Sequence, residues 1–153
     1  MADFMLALSR NAVLTTAVTG WFIAQFIKAV LYALLNHTFK LERLMGSGGM
    51  PSSHASTVMA AVVASLLKFG PQSFEFAICA LLALIVLHDA RGVRLEAGKQ
   101  AEILNKLMRH GDLKELFQDE AYLKELVGHT PFQVLVGSII GIITGALMCS
   151  YVF

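Results

Sequence analysis

Charge is scarce in this chain of 153 residues: Lys, Arg, Asp and Glu make up 15% of it, against 56% hydrophobic residues. A soluble domain carries about 25% charged residues. The scarcity, together with a mean hydropathy of +0.65, excludes an ordinary water-soluble composition. Cysteine is scarcer still. Cys79 and Cys149 have no companion at ligand spacing, which excludes a cysteine-ligated metal centre, and both read as packing residues within apolar runs. A basic excess is also missing: the net charge is +1, and the basic residues are interleaved with acidic ones, which argues for no nucleic-acid partner. The first ten residues hold Asp3 and Arg10 and lack the basic start, short apolar core and small-residue site of a cleavable signal. No internal repeat and no low-complexity stretch is visible. Proline occurs three times, at positions 51, 71 and 131, each at the edge of an apolar run.

What is present is long apolar segments. Residues 11–35 carry few polar side chains, and about 20 apolar residues cross a bilayer. Further runs cover about 53–69, 73–88 and 131–153, the second and third parted by Gly70-Pro71. The first and last lack a distinct polar face, and a chain this short cannot surround four such helices with a soluble core. The expected fold is therefore all-α. It is a single integral membrane domain over 1–153, a polytopic membrane helical bundle of about four transmembrane helices plus one or two amphipathic cytoplasmic helices in an insertion over about 89–129. In that insertion Ile103, Leu104, Leu107 and Met108 recur at helical spacing, with Glu102 and Lys106 as an i, i+4 pair, and a second amphipathic helix is expected from about Leu113 to Val127.

Four spans put the segments 36–53 and 88–130 on one side, with Lys40, Arg43, Arg91, Arg94, Lys99, Lys106, Arg109, Lys114 and Lys124. Only Arg10 and Lys68 fall on the other. The positive-inside rule then expects both long segments in the cytoplasm, both termini outside, and the cell membrane as the location.

Polar groups gather at the basic side. The turn Gly48-Gly49-Met50-Pro51-Ser52-Ser53-His54 opens the second apolar run, and His129 precedes Thr130-Pro131, a cap and a first helical position for the fourth. Two helix N-termini, each bearing a histidine, thus face the same compartment, and helix N-termini favour anions. Gln25 and Lys28 lie toward the same end of the first run, and Arg91 and Arg94 follow the third. Such an inventory suits a phosphate, with one imidazole attacking phosphorus and another protonating the leaving oxygen. Each residue also has a plainer role: Ser52 and Ser53 as caps, Lys28 snorkelling to the interface, His129 in a loop, Arg91 and Arg94 as interfacial anchors. His37, His88 and His110 read as surface or interfacial residues.

Three motifs in order, Gly48 to His54, then Asp89-Ala90-Arg91-Gly92-Val93-Arg94 with Gly98-Lys99-Gln100-Ala101 and Leu104-Asn105, then Gly128-His129-Thr130-Pro131-Phe132-Gln133-Val134, carry a resemblance. The chain resembles the divergent branch of the type 2 phosphatidic acid phosphatase family, which is related to acid phosphatases and vanadium-dependent haloperoxidases. The resemblance implies that Pro51-Ser52-Ser53-His54 corresponds to the family's Pro-Ser-Gly-His motif, with His54 as the acid and Ser52 and Ser53 holding phosphate. It implies His129 as nucleophile, Gln133 at the place of the acid that orients it, and Lys28 as the phosphate-binding lysine. Gly137 and Gly141 continue that third motif. The implied activity is metal-independent hydrolysis of a lipid phosphate or diphosphate through a phosphohistidine, without a cofactor. Implied partners are the lipid phosphate and membrane lipids, with a homo-oligomer left open.

The chain departs from the family pattern at three places. Leu35-Asn36 stands where Arg-Pro follows the lysine, and the Ser-Arg before the nucleophilic histidine is absent, so Arg94, or else Arg91 or Arg43, has to supply the guanidinium. Gln133 carries no charge to stabilise an imidazolium; the equivalent acid-to-amide change in a serine protease triad costs about 10⁴ in rate. Asp89 is another carboxylate available for the role. These departures favour the alternative, a catalytically weak or inactive membrane protein that keeps the phosphate pocket for binding or regulation. Haloperoxidase chemistry suits a site with so few matched phosphate-holding residues poorly.

Overall fold

The computed structural model describes residues 1–37, 49–109, 122–123 and 128–153. Its helices are α1 (Ala2–Ser9), α2 (Ala12–Asn36), α3 (Ser53–Phe69), α4 (Phe74–Arg91), α5 (Val93–Met108) and α6 (Pro131–Tyr151). Short polar residues start most of them. The side chains of Asn11, Ser52 and Ser73 accept from the backbone N–H groups of Leu14, Ala55 and Phe76, satisfying donors that a helix start leaves unpaired. α6 begins with a full capping box between Thr130 and Gln133, and Pro131 fills a position where no N–H is needed. Gly70 ends α3 at φ +82, a conformation that side-chain-bearing residues rarely adopt.

Residues 2–9 form a helix of their own, separate from the first span. Asn11 is the reason: it is extended, with φ −74 and ψ 102, and its side chain caps the start of α2. The second amphipathic helix expected from about Leu113 lies outside the described residues, apart from Tyr122 and Leu123. Those two are tied to α5: the Asn105 side chain donates to the Leu123 carbonyl at 2.8 Å and accepts from its N–H at 2.9 Å, and the Arg109 guanidinium sits 4.6 Å from the Tyr122 ring centre.

α3 is the hub. It packs most extensively on α6, then on α2 and α4, while α2 also meets α6. The buried side of α3 is Ser53, Ala55, Ser56, Val58, Ala60, Ala64 and Ser65, nearly all small, and the facing positions are Gly20 on α2 and Gly137, Gly141 and Gly145 on α6. Small residues bring the backbones close, and the Ser56 hydroxyl then donates to the Gly20 carbonyl at 2.8 Å across the α2–α3 seam.

Large apolar side chains point outward instead. Phe22, Phe26, Leu84, Ile85, Phe132 and Leu135 are each more than half exposed, and α4 buries only Ala83 and Ala90. A water-soluble bundle would do the reverse, since burying large apolar groups is its main driving force. The chain is an all-helical membrane protein. Ala12–Asn36, Phe74–Met108 and Pro131–Tyr151 are long and apolar enough to cross a membrane, and α3, at 17 residues, is a shorter apolar helix.

Candidate functional site

Contacts along the seams bring four helix ends together. The Ser52 N–H donates to the Gln133 carbonyl at 3.1 Å, joining the starts of α3 and α6, which run parallel. The His129 N–H donates to the Ala90 carbonyl at 3.1 Å, tying the start of α6 to the end of α4. Gly49, at φ +79, passes over α2, and a Cβ there would lie 3.8 Å from Lys28 Cδ. The two helix starts therefore meet beside the late turns of α2 and α4.

His54 and His129 face one another at this junction. Their ring centres are 5.6 Å apart and the rings are inclined at 72°, edge to face. His129 is fully buried, and among the described residues neither of its ring nitrogens, nor Nδ1 of His54, has a hydrogen-bond partner. Buried polar atoms without partners cost free energy unless they have something to bind. Burial first, then the charges of Lys28, His54 and Arg94, push His129 down to about 4, against 6.5 for the free side chain.

Histidine-selective ¹⁵N NMR of the solubilised protein should accordingly show one imidazole still neutral at pH 5.5, a signal absent from His129→Ala. Between 6.5 and about 4 the unfolded chain binds a proton at this position that the folded chain does not. The contribution of His129 to stability is therefore fully present above 6.5 and falls as the pH drops through that window.

Lys28, 5% exposed on α2, and Arg94, near the start of α5, supply positive charge from two further sides. Ser52 and Ser53 are both buried in the turn that opens α3. Ser52 uses its oxygen lone pair as the helix cap, which leaves its hydroxyl proton able to donate. Arg91 is exposed in the last turn of α4, and Arg94 is the arginine whose charge acts on both histidines. Arg43 lies outside the described residues.

Gln133 sits at the position expected for the orienting acid, but its amide oxygen accepts from the Thr130 N–H at 3.0 Å. The capping box uses the side chain, and no hydrogen bond links it to His129. Gln133→Glu keeps the cap acceptor and adds no partner to the imidazole. Activity within about threefold of wild type is the expected result, and a sharp gain would show that residue 133 does orient His129. Asp89, the other carboxylate available for that role, is paired with Arg94. The missing side chain of Gly128 lets the His129 segment lie against Arg94 and Leu95, a role with no local signal in the sequence.

Residues 9–144 match the Divergent PAP2 family. The chain belongs to that family. Its family relative YuiD, an uncharacterized membrane protein of Bacillus subtilis (strain 168), is 33% identical over 156 residues, covering 95% of this chain and 98% of that one. No solved structure matches the chain significantly. All four helices that build the junction, and both histidines, lie within or begin within the family match.

Proposed function

We propose that this member of the Divergent PAP2 family is a membrane phosphatase that hydrolyses a lipid phosphate or diphosphate through a phosphohistidine. The observation that carries this reading is the His54–His129 pair, 5.6 Å between ring centres, set between two helix N-termini with Lys28 and Arg94 alongside. Helix N-termini and the two cations favour a phosphate dianion. A neutral His129 holds the lone pair that a nucleophile needs.

In the first step a ring nitrogen of His129 attacks the terminal phosphorus, the P–O bond to the leaving group breaks, an ester bond in a lipid phosphate or an anhydride bond in a diphosphate, and the leaving oxygen takes a proton from the His54 imidazolium. In the second, water attacks the phosphohistidine, the P–N bond breaks, and the proton of that water returns to His54. Lys28, Arg94 and the backbone N–H groups at the start of α3 neutralise the charge on the phosphoryl oxygens throughout. No step calls for a metal. The asymmetry of basic residues supports a site on the cytoplasmic face of the cell membrane.

The test is release of inorganic phosphate from a panel of lipid phosphates by purified protein, with and without chelator, beside His129→Ala. Release that survives chelation and is lost in the variant supports the reading.

A second reading, a membrane protein that binds lipid phosphate without turning it over, draws on Gln133. With that side chain held in the capping box, no hydrogen bond from a described residue holds the His129 ring nitrogens. Binding of lipid phosphate without release in the same panel would favour it.

A further inference from the structure

One ion pair beside the histidines has no part in the chemistry of attack and proton transfer. Nε of Arg94 donates to Oδ2 of Asp89 across the break between α4 and α5. Residues five apart on an unbroken helix point about 140° apart around the axis and do not meet. At Gly92 the backbone leaves the helix, with φ −100 and ψ −86, and the two side chains close over the gap.

The His129 segment docks on the same break. His129 donates its N–H to Ala90, and a Cβ on Gly128 would lie 2.6 Å from the carbonyl carbon of Arg94. One junction therefore sets the place of the nucleophile and of the arginine together. Because Nε is the donor taken by Asp89, the terminal Nη groups carry the N–H donors left for an anion.

We propose that Asp89 is a positioning residue: it fixes the Arg94 guanidinium so that its outer edge meets the phosphate bound between His54 and His129. This rests on the reading of the histidine pair as a phosphate site, and it explains how a chain without the Arg-Pro and Ser-Arg elements obtains a directed guanidinium. Asp89 reaches the phosphate through Arg94, and so its main effect is on phosphate affinity.

The experiment uses full-length protein in nanodiscs, with two readouts: KM and kcat for a hydrolysed lipid phosphate, and the Kd for inorganic phosphate by calorimetry. Asp89→Asn is expected to raise KM and the phosphate Kd about two- to fivefold, the scale of an ion pair whose side chains are 42% and 37% exposed, with kcat changed less. Asp89→Glu should recover part of the loss. In an Arg94→Gln background Asp89→Asn should cost nothing further, a result that a merely structural role would not produce. Should Asp89→Asn fail to fold, Arg94→Lys, which keeps charge and loses the planar fork, is expected to show the same rise in KM and Kd.

Unchanged KM and Kd in Asp89→Asn, or an equal additional loss in the Arg94→Gln background, overturns the proposal. Wild-type protein that binds phosphate but releases none overturns the phosphatase reading alone, since the Kd arm still measures positioning. Wild-type protein that does neither overturns both.

Discussion

Replacing His129 by alanine is expected to lower phosphate release to the uncatalysed background, a loss on the order of 10⁴ to 10⁶, because the covalent intermediate of the proposed reaction forms on its ring. His54→Ala is expected to lose about 10² to 10⁴, the range for a general acid. The two losses part company when the leaving group is changed. An aryl phosphate with a weakly basic leaving oxygen needs no proton in the first step, so the His54→Ala deficit should shrink with it while the His129→Ala deficit stays. The double variant should be no worse than His129→Ala alone, since both act in one step. His129 is fully buried, so His129→Gln, which keeps most of its volume, separates lost chemistry from lost packing. Equal release by wild type and both His129 variants, from folded protein, would remove the phosphatase reading.

Much of this arrangement was legible in the residues, and the parts that were not share a cause. Apolar runs and capping residues located α2, α3, α4 and α6, because both signals are local. Helix polarity was enough to bring His54 and His129 to one end of the bundle. The role of α3 was hidden: at 17 residues it is short for a span, yet Ala55, Ser56, Ala60 and Ala64 make it the helix on which the others pack. Hydropathy measures greasiness and is blind to smallness, which is what close helix packing in a membrane uses. Gln133 illustrates a conflict of signals. Thr130-Pro131-Phe132-Gln133 is a capping box on its own terms, and the four-residue spacing from His129 suggests an orienting group; the local hydrogen bond to the Thr130 N–H prevails. The Asp89–Arg94 pair was unreadable for a geometric reason, since a spacing of five places side chains on different faces unless the helix breaks between them.

The largest expected effect on the fold comes from Gly141→Leu, which should leave no monodisperse folded protein. Gly137, Gly141 and Gly145 recur every four residues and so share one face of α6, and that face lies directly on α3. A Cβ on Gly141 would collide with the Ser56 carbonyl oxygen and approach the Ala60 nitrogen and the Met59 Cβ to 3.0 Å. Two of these are backbone atoms of the central helix and cannot swing aside as the end of a long side chain would. Overpacking a close-packed interior costs about 1–3 kcal/mol for small additions, so Gly141→Ala should fold with a lowered Tm, while leucine forces the helices apart. The same strip reaches the site, because Gly137 faces the carbonyl of Ser52, the cap of the helix that carries His54. His129 stands at the other side of that contact, just before α6 begins. Displacement by about 1 Å between reacting groups can cost on the order of 10² in rate, so Gly137→Ala is expected to lose more activity than its fall in Tm alone would explain. Ile142→Ala, at a position 42% exposed on the outer surface of α6, is the control and should leave Tm and release close to wild type. A Gly141→Ala protein as stable as wild type would mean that α3 and α6 do not approach this closely, and the placement of His54 against His129 would lose its structural basis.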